Sequence, residues 1–248
     1  MRNLLAKYRA NIILNFILII GLLACVITIC FFIGINYAFS PSQIFKSTIN
    51  SVVELKAETS NIGTVFGTAT FVDKKGTLVS NAHLVTYKDG GSYSYHQSIS
   101  VRFYEESDYY SVNLVDYDVI NDLCVLSFAD SFDVHEFEPI NFINNAGIEA
   151  GDTIYAVGNA MNHGLSIVQG IVSIPLIDIA IDEVTYRVIQ CDLTINRGNS
   201  GGPLLDKKGN FIGITTFRIR DNSGDIIYGI AFAIPSTIVE AYINKNIN

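Results

Sequence analysis

One tract of the chain gathers residues suited to acyl transfer. Asn196-Arg197-Gly198-Asn199-Ser200-Gly201-Gly202-Pro203 sets a serine among three glycines. Glycine reaches backbone conformations that other residues avoid and lets a second chain approach closely. Such a turn can aim successive N–H groups at one point, as stabilisation of an oxyanion requires. The same composition also makes an ordinary β-turn. A serine nucleophile further needs a base and an orienting carboxylate. Of the four histidines, His83 comes in Asn81-Ala82-His83, directly after the strand-forming run Thr77-Leu78-Val79-Ser80. His96, His135 and His163 lie in Ser/Tyr-rich, acidic and Gly/Asn-rich surroundings that read as solvated loops. Asp122 stands at the entry to the apolar strand Leu123-Cys124-Val125-Leu126 and is the favoured carboxylate, with Asp116 and Asp118 as alternatives in a more polar stretch. The order is then His83, Asp122, Ser200, at intervals of 39 and 78 residues. That is the chymotrypsin-type chain order, unlike those of subtilisin or the α/β-hydrolases. His83 and the cysteines show no metal-ligand spacing, so no metal and no cofactor is expected.

These side chains need stiff elements to hold them, and the chain offers strands. Val52–Leu55, Val65–Val72 and Thr77–Ser80 are rich in β-branched and aromatic residues, as are 98–104, 110–117 and 123–128. Thr153–Val157, Ser166–Ile174, Val184–Cys191, Phe211–Phe217 and Ile226–Ala233 continue the pattern, separated by Gly-rich turns. Many short strands at even spacing predict an all-β sandwich or barrels. Within this part only Ser236–Lys245 reads as a helix, with Ser236 as its N-cap after Pro235. Residues 41–50 read as a linker, and a break near 139–151 separates two lobes. Cys124 and Cys191 are expected to be free buried thiols.

The front of the chain is different. The 248 residues are 49% hydrophobic, and the excess concentrates in Ile12–Ile35, which carries no charge. A helix of that length spans ~36 Å, enough for a hydrocarbon core of about 30 Å. It has no polar face of the kind a soluble core helix needs. Arg2, Lys7 and Arg9 precede it, and the next basic residue is Lys46. The positive-inside rule therefore predicts a single-pass anchor with a cytoplasmic N-terminus and residues 41–248 outside. The run is longer than the apolar region of a cleaved signal peptide, about 7–15 residues. Residues 1–40 hold no acidic residue, so the net charge of −8 becomes −11 over residues 41–248. An acidic domain argues against a nucleic-acid partner.

The outer domain resembles the protease domain of the HtrA/Deg family of trypsin-like serine proteases over about residues 50–240. The likeness rests on Gly67-Thr68-Ala69-Thr70-Phe71-Val72, on Leu78 to Val85 around His83, and on Asp122-Leu123-Cys124-Val125-Leu126. It continues in Gly151–Asn159, Gln169-Gly170-Ile171-Val172-Ser173, Ile189-Gln190-Cys191-Asp192, the serine tract and Gly229–Pro235. The resemblance implies a chymotrypsin-like double β-barrel with a C-terminal helix, preceded here by the membrane helix. With the apolar run, the expected domains are 1–40 (basic tip and anchor), 41–140 (linker and first barrel) and 141–248 (second barrel and helix). His83 would be the base, Asp122 its orienting partner and Ser200 the nucleophile. The backbone N–H groups of Gly198 and Ser200 would form the oxyanion hole. Leu193, Thr194 and Ile195 would wall the primary substrate pocket, and Thr215, Thr216 and Phe217 would pair with substrate. With Thr194 at the pocket base instead of an acid, cleavage after small or medium apolar residues is expected.

Three departures bear on regulation. Asn199 stands where zymogen-type trypsins carry an aspartate, as suits enzymes not activated by N-terminal cleavage. The sequence ends soon after the last helix, so control through a C-terminal PDZ domain is not expected. Pro175–Tyr186 occupies the place of a regulatory loop with an unrelated sequence. The expected function is extracytoplasmic hydrolysis of unfolded or damaged polypeptides by a membrane-bound enzyme, with the homotrimer common in the family as the candidate assembly. The competing expectations are a catalytically idle binding module and a narrow protease cutting one membrane-protein partner.

Overall fold

The computed structural model describes residues 2–35, 39–129, 137–142, 147–181, 184–220 and 226–246. The chain forms two units, the first ending at Ala38 and the second beginning at Phe39. The first contains helix α1 (Arg2–Ile35). Its stretch Asn11–Phe31 has a mean hydropathy of 3.0, and none of it is buried within the protein. By length and composition this helix can cross a bilayer.

The second unit opens with α2 (Pro41–Thr48), where the sequence reads as a linker. Eight residues are too few to display a helical period, but the start signal is present. The Ser40 hydroxyl accepts from the Gln43 N–H, and Gln43 Oε1 accepts from the Ser40 N–H at 2.9 Å. This reciprocal capping box, with Pro41 in the first turn, starts the helix.

Two closed barrels follow. The first uses β1 (Val52–Thr59), β2 (Gly63–Phe71) and β3 (Leu78–Ser80), then leaves through the one-turn helix α3 (Ala82–Val85). A separate hairpin comes next, β4 (Thr86–Asp89) with β5 (Ser92–Tyr95), turning at Gly90-Gly91. The barrel resumes with β6 (Ser98–Arg102), β7 (Tyr110–Asp118) and β8 (Leu123–Phe128), closing in the order β1-β2-β3-β8-β7-β6. The second barrel comprises β9 (Thr153–Gly158), β10 (Ser166–Ile181), β11 (Val184–Asp192), β12 (Pro203–Asp206), β13 (Phe211–Arg220) and β14 (Ile226–Pro235). It closes in the order β10-β11-β14-β13-β12-β9, and α4 (Ser236–Asn246) follows. Closure removes the exposed sheet edges.

The period-2 rule sorts side chains between three cores. In β9, Ile154 and Ala156 point into the second barrel, while Tyr155 and Val157 face the core between the barrels. In β8, Cys124 and Leu126 fill the first barrel, and Leu123 and Val125 join the shared core. Ile44 of α2 and Val239 and Tyr242 of α4 complete that shared core. Tyr242 also donates to Asp116 Oδ2 in β7 at 2.9 Å, tying the C-terminal helix to the first barrel. Cys124 and Cys191 are free and buried. Burial pushes both thiols upward, Cys191 to about 12, so neither ionises near neutral pH.

The segment Pro175–Tyr186 is strand where it is described. β10 and β11 pair outward as far as Ile181↔Val184. Arg187 and Asp178 face each other across the hairpin in a bidentate pair at 2.8 and 3.0 Å.

Candidate active site

His83 sits on α3, whose start is built in an unusual way. Asn81 is the N-cap but makes no side-chain cap bond. The His83 N–H donates instead to Asp122 Oδ1 at 2.9 Å. The imidazole then turns onto the same carboxylate, with Nδ1 at 2.8 Å from Oδ2 and 3.0 Å from Oδ1. A proton on Nδ1 leaves Nε2 as the free basic nitrogen. Asp122 follows a turn closed by Asp118, whose Oδ1 accepts from the N–H groups of Ile120 and Asn121. It adopts φ +53, a left-handed conformation that Asp tolerates better than most residues. Desolvation in the cleft disfavours the imidazolium, but the charge and hydrogen bond of Asp122 outweigh it and hold the His83 pKa above its ordinary value.

Ser200 lies on the turn between β11 and β12, which packs so closely that glycine is required. Gly198 has φ +97, and a Cβ there would strike the Asn159 carbonyl. Gly201 has φ +84, and a Cβ there would strike the Thr68 carbonyl. Threonines fasten the turn from both barrels. Thr68 Oγ1 donates to Gly198 O at 2.6 Å, and Thr70 Oγ1 to Gly201 O at 3.2 Å. From below, Thr215 Oγ1 donates to Asn199 O at 2.6 Å and to Gly202 O at 3.1 Å. Thr68 and Thr70 are supports that reading the sequence did not single out. Their i, i+2 spacing beside a glycine was the available signal, since it puts both hydroxyls on one face of β2.

The Arg197 carbonyl accepts from the Met161 N–H at 2.7 Å. In a trans peptide the following N–H points the opposite way, so this bond orients the Gly198 N–H away from Met161. Among the described residues, neither the Gly198 N–H nor the Ser200 N–H donates to any acceptor. Two adjacent free donors on a turn held from three sides can bind a developing oxyanion. Gly198→Ala keeps the N–H but drives a Cβ against the Asn159 carbonyl and so turns the donor away, and it is expected to lower kcat by about 100- to 1,000-fold, the cost of one displaced oxyanion donor. Steady-state kinetics on the variant checks this, and a change under twofold would remove Gly198 from the role.

The Ser200 hydroxyl is not on the imidazole. It donates to the Thr216 carbonyl at 2.7 Å, and Thr216 Oγ1 donates to Asp122 Oδ2 at 2.5 Å. Thr216 thus links the serine to the carboxylate, a role beyond the strand pairing expected of it. Ser200 must leave this carbonyl before His83 can take its proton.

The remaining expected substrate contacts are distributed as follows. Leu193 and Ile195 are buried in the second-barrel core, and Thr194 is exposed. Thr215 is buried beneath the serine turn. Phe217 lies in β13, and its side chain falls outside the described residues. A cleft of about 430 Å³ brings His83, Gly198 and Ser200 together with Phe66, Leu84 and Met161. A second cavity of about 250 Å³ flanks the His83–Asp122 pair and is lined by Tyr93, Val119 and Tyr186. Through Tyr186 the long β10–β11 hairpin reaches this flank.

Residues 67–214 match the family model of the trypsin-like peptidase domain. The serine protease Do-like HtrA of Bacillus subtilis is 33% identical over 209 residues, covering 82% of this chain and 42% of that protein. The serine endoprotease DegS of Haemophilus influenzae is 33% identical over 181 residues, covering 72% of this chain and 49% of that protein. The chain therefore spans less than half the length of either relative. The solved HtrA-type protease AlgW with tripeptide superposes with a TM-score of 0.67 at 28% identity, over 83% of this chain and 63% of that one.

Proposed function

Because the chain belongs to the trypsin-like peptidase family, with a protease domain of the HtrA type, we propose that it is a membrane-anchored serine endopeptidase of unfolded polypeptides. The observation that carries this reading is the His83–Asp122 pair at 2.8 Å, in one cleft with Ser200 and two unoccupied N–H donors. His83 Nε2 takes the Ser200 proton as Oγ attacks the scissile carbonyl carbon. The oxyanion is held by Gly198 N–H and Ser200 N–H. The proton passes to the leaving amine as the C–N bond breaks. Water then attacks the acyl-enzyme by the same route and restores Ser200. Asp122 keeps the Nδ1 tautomer and balances the imidazolium charge. Helix α1 anchors the chain with the protease domain on the extracytoplasmic side, following the basic residues before the span.

A second reading, a site latent until ligand arrives, is favoured by the bond from Ser200 Oγ to Thr216 O. One experiment separates the two. The full chain in detergent is treated with a fluorophosphonate, and its cleavage of reduced, carboxymethylated casein is followed beside cleavage of a folded protein. The expected outcome is labelling at Ser200 and degradation of the unfolded protein alone. Labelling only after a peptide is added supports latency. A folded chain that neither labels nor cleaves under either condition overturns both.

A further inference from the structure

We infer that Asn81 is a positioning residue of the catalytic pair, holding the main chain of Asp122 so that its carboxylate meets both the backbone and the ring of His83. The inference rests on the proposed endopeptidase reading and adds a group that acts through Asp122.

Asn81 is fully buried, and its Nδ2 donates to the Asp122 carbonyl at 2.9 Å. An asparagine at a helix N-cap ordinarily turns its side chain onto the first free N–H groups of its own helix. Here that task is exchanged. The side chain of Asn81 holds the backbone of Asp122, and the side chain of Asp122 takes the N–H of His83. Asn81 and His83 are two residues apart, so a short closed circuit joins both members of the pair. The circuit bears on a conformation that needs support. A non-glycine residue at φ +53 persists only when its surroundings over-determine it. The Asn81 bond is the one side-chain bond to the Asp122 carbonyl among the described residues.

The Asn81 side chain also pays a cost that packing alone does not explain. Its Oδ1 is buried without a partner among the described residues, so one half of the amide is left open while the other half holds Asp122. A side chain present only to fill space would be better replaced by an apolar one, because unpaired buried acceptors are unfavourable. The Asn81 main-chain carbonyl accepts from Cys124 Sγ at 3.5 Å, which fixes the cap itself against β8. The titratable groups around the imidazole are Asp122, Tyr93 and Tyr186 on one flank and Arg197 across the cleft. A change at Asn81 removes none of these groups and acts on the imidazole through Asp122, whose carbonyl Asn81 holds.

The test uses the full chain in detergent with Asn81→Ala and Asn81→Ser. The serine hydroxyl stops one bond short of the Nδ2 position and cannot span to the carbonyl, yet it disturbs packing less. Both variants are expected to lose about ten- to a hundredfold in kcat, the range of one buried hydrogen bond left open, with KM within about twofold. An independent reading comes from NMR of the ¹⁵N-labelled imidazole, assigned with His83→Ala. In both variants the His83 titration midpoint falls from its raised position and the low-field Nδ1 proton signal weakens. Leu126→Val, a cavity variant in β8, lowers the melting temperature but leaves kcat and the midpoint in place. If the folded Asn81 variants keep the wild-type kcat and midpoint, or if Leu126→Val moves both as far, Asn81 is a packing residue and the inference is overturned. If the wild-type chain hydrolyses nothing, the endopeptidase reading fails while the NMR midpoint still decides the role of Asn81.

Discussion

Ser200→Ala is expected to abolish fluorophosphonate labelling and to lower kcat on an unfolded polypeptide by about a million-fold, the scale seen when a serine nucleophile is removed from an acting triad. The fold should not notice. The lost group is one hydroxyl whose recorded bond runs to the Thr216 carbonyl, and a single neutral hydrogen bond contributes about 0.5–1.5 kcal/mol. The turn itself is held by Thr68, Thr70 and Thr215, whose hydroxyls donate to the carbonyls of Gly198, Gly201 and Asn199. The variant should therefore melt within a few degrees of wild type. His83→Ala should cost about as much as Ser200→Ala, and the double variant little more, because the groups act as one unit. Residual cleavage above the background rate, from oxyanion stabilisation and binding, is part of the same expectation. Measured kcat within tenfold of wild type in Ser200→Ala would exclude Ser200 as the nucleophile.

Asp122→Asn should lower kcat by about ten-thousand-fold, because an amide can present its NH₂ to Nδ1 and select the wrong tautomer. Its pH signature has a definite sign. Burial lowers the His83 pKa, while the charge and hydrogen bond of Asp122 raise it by more. The base must be neutral to act, so in the wild type kcat/KM is lost as pH falls through a midpoint above the ordinary imidazole value of about 6.5. In Asp122→Asn the raising influences are gone, so the midpoint falls from its raised position. The same shift bears on stability. A pKa raised on folding stabilises the native state below the unfolded pKa, and this contribution fades as pH rises through the folded pKa. The variant should accordingly lose stability relative to wild type at acid pH and approach it at alkaline pH. A pH profile with an unchanged acid limb would mean that Asp122 does not face the catalytic imidazole.

Much of this was legible in the chain because it depends on local rules. β8 was readable at Leu123–Phe128 and α4 from Ser236, since strand-forming runs and a Pro-Ser start signal are local. The glycines around Ser200 showed that this turn has unusual backbone needs. The order of His83, Asp122 and Ser200 distinguished one triad topology from the others. Helix α2 and the hairpin β4–β5 were not read. Each is too short to show a period, and their polar residues resemble those of loops. The tract Pro175–Tyr186 reads as a loop from its place in the family resemblance, yet pairing across the hairpin with Val184–Asp192 makes its described residues strand.

Residue types, their order and the apolar run at the front are properties of the chain itself, and they determined the all-β class, the long apolar helix and the kind of chemistry to be expected. The partner of each of these hydrogen bonds is a property of distances between segments 16 to 130 residues apart, which no local pattern encodes. Only the folded chain decided that Thr68 of the first barrel steadies the serine turn of the second, and that Asn81 holds the Asp122 carbonyl. It also decided that the Ser200 hydroxyl rests on Thr216 rather than on His83. The physical reason is that a hydrogen bond is made or lost over a few tenths of an ångström. That precision arises when two closed barrels pack through a shared core.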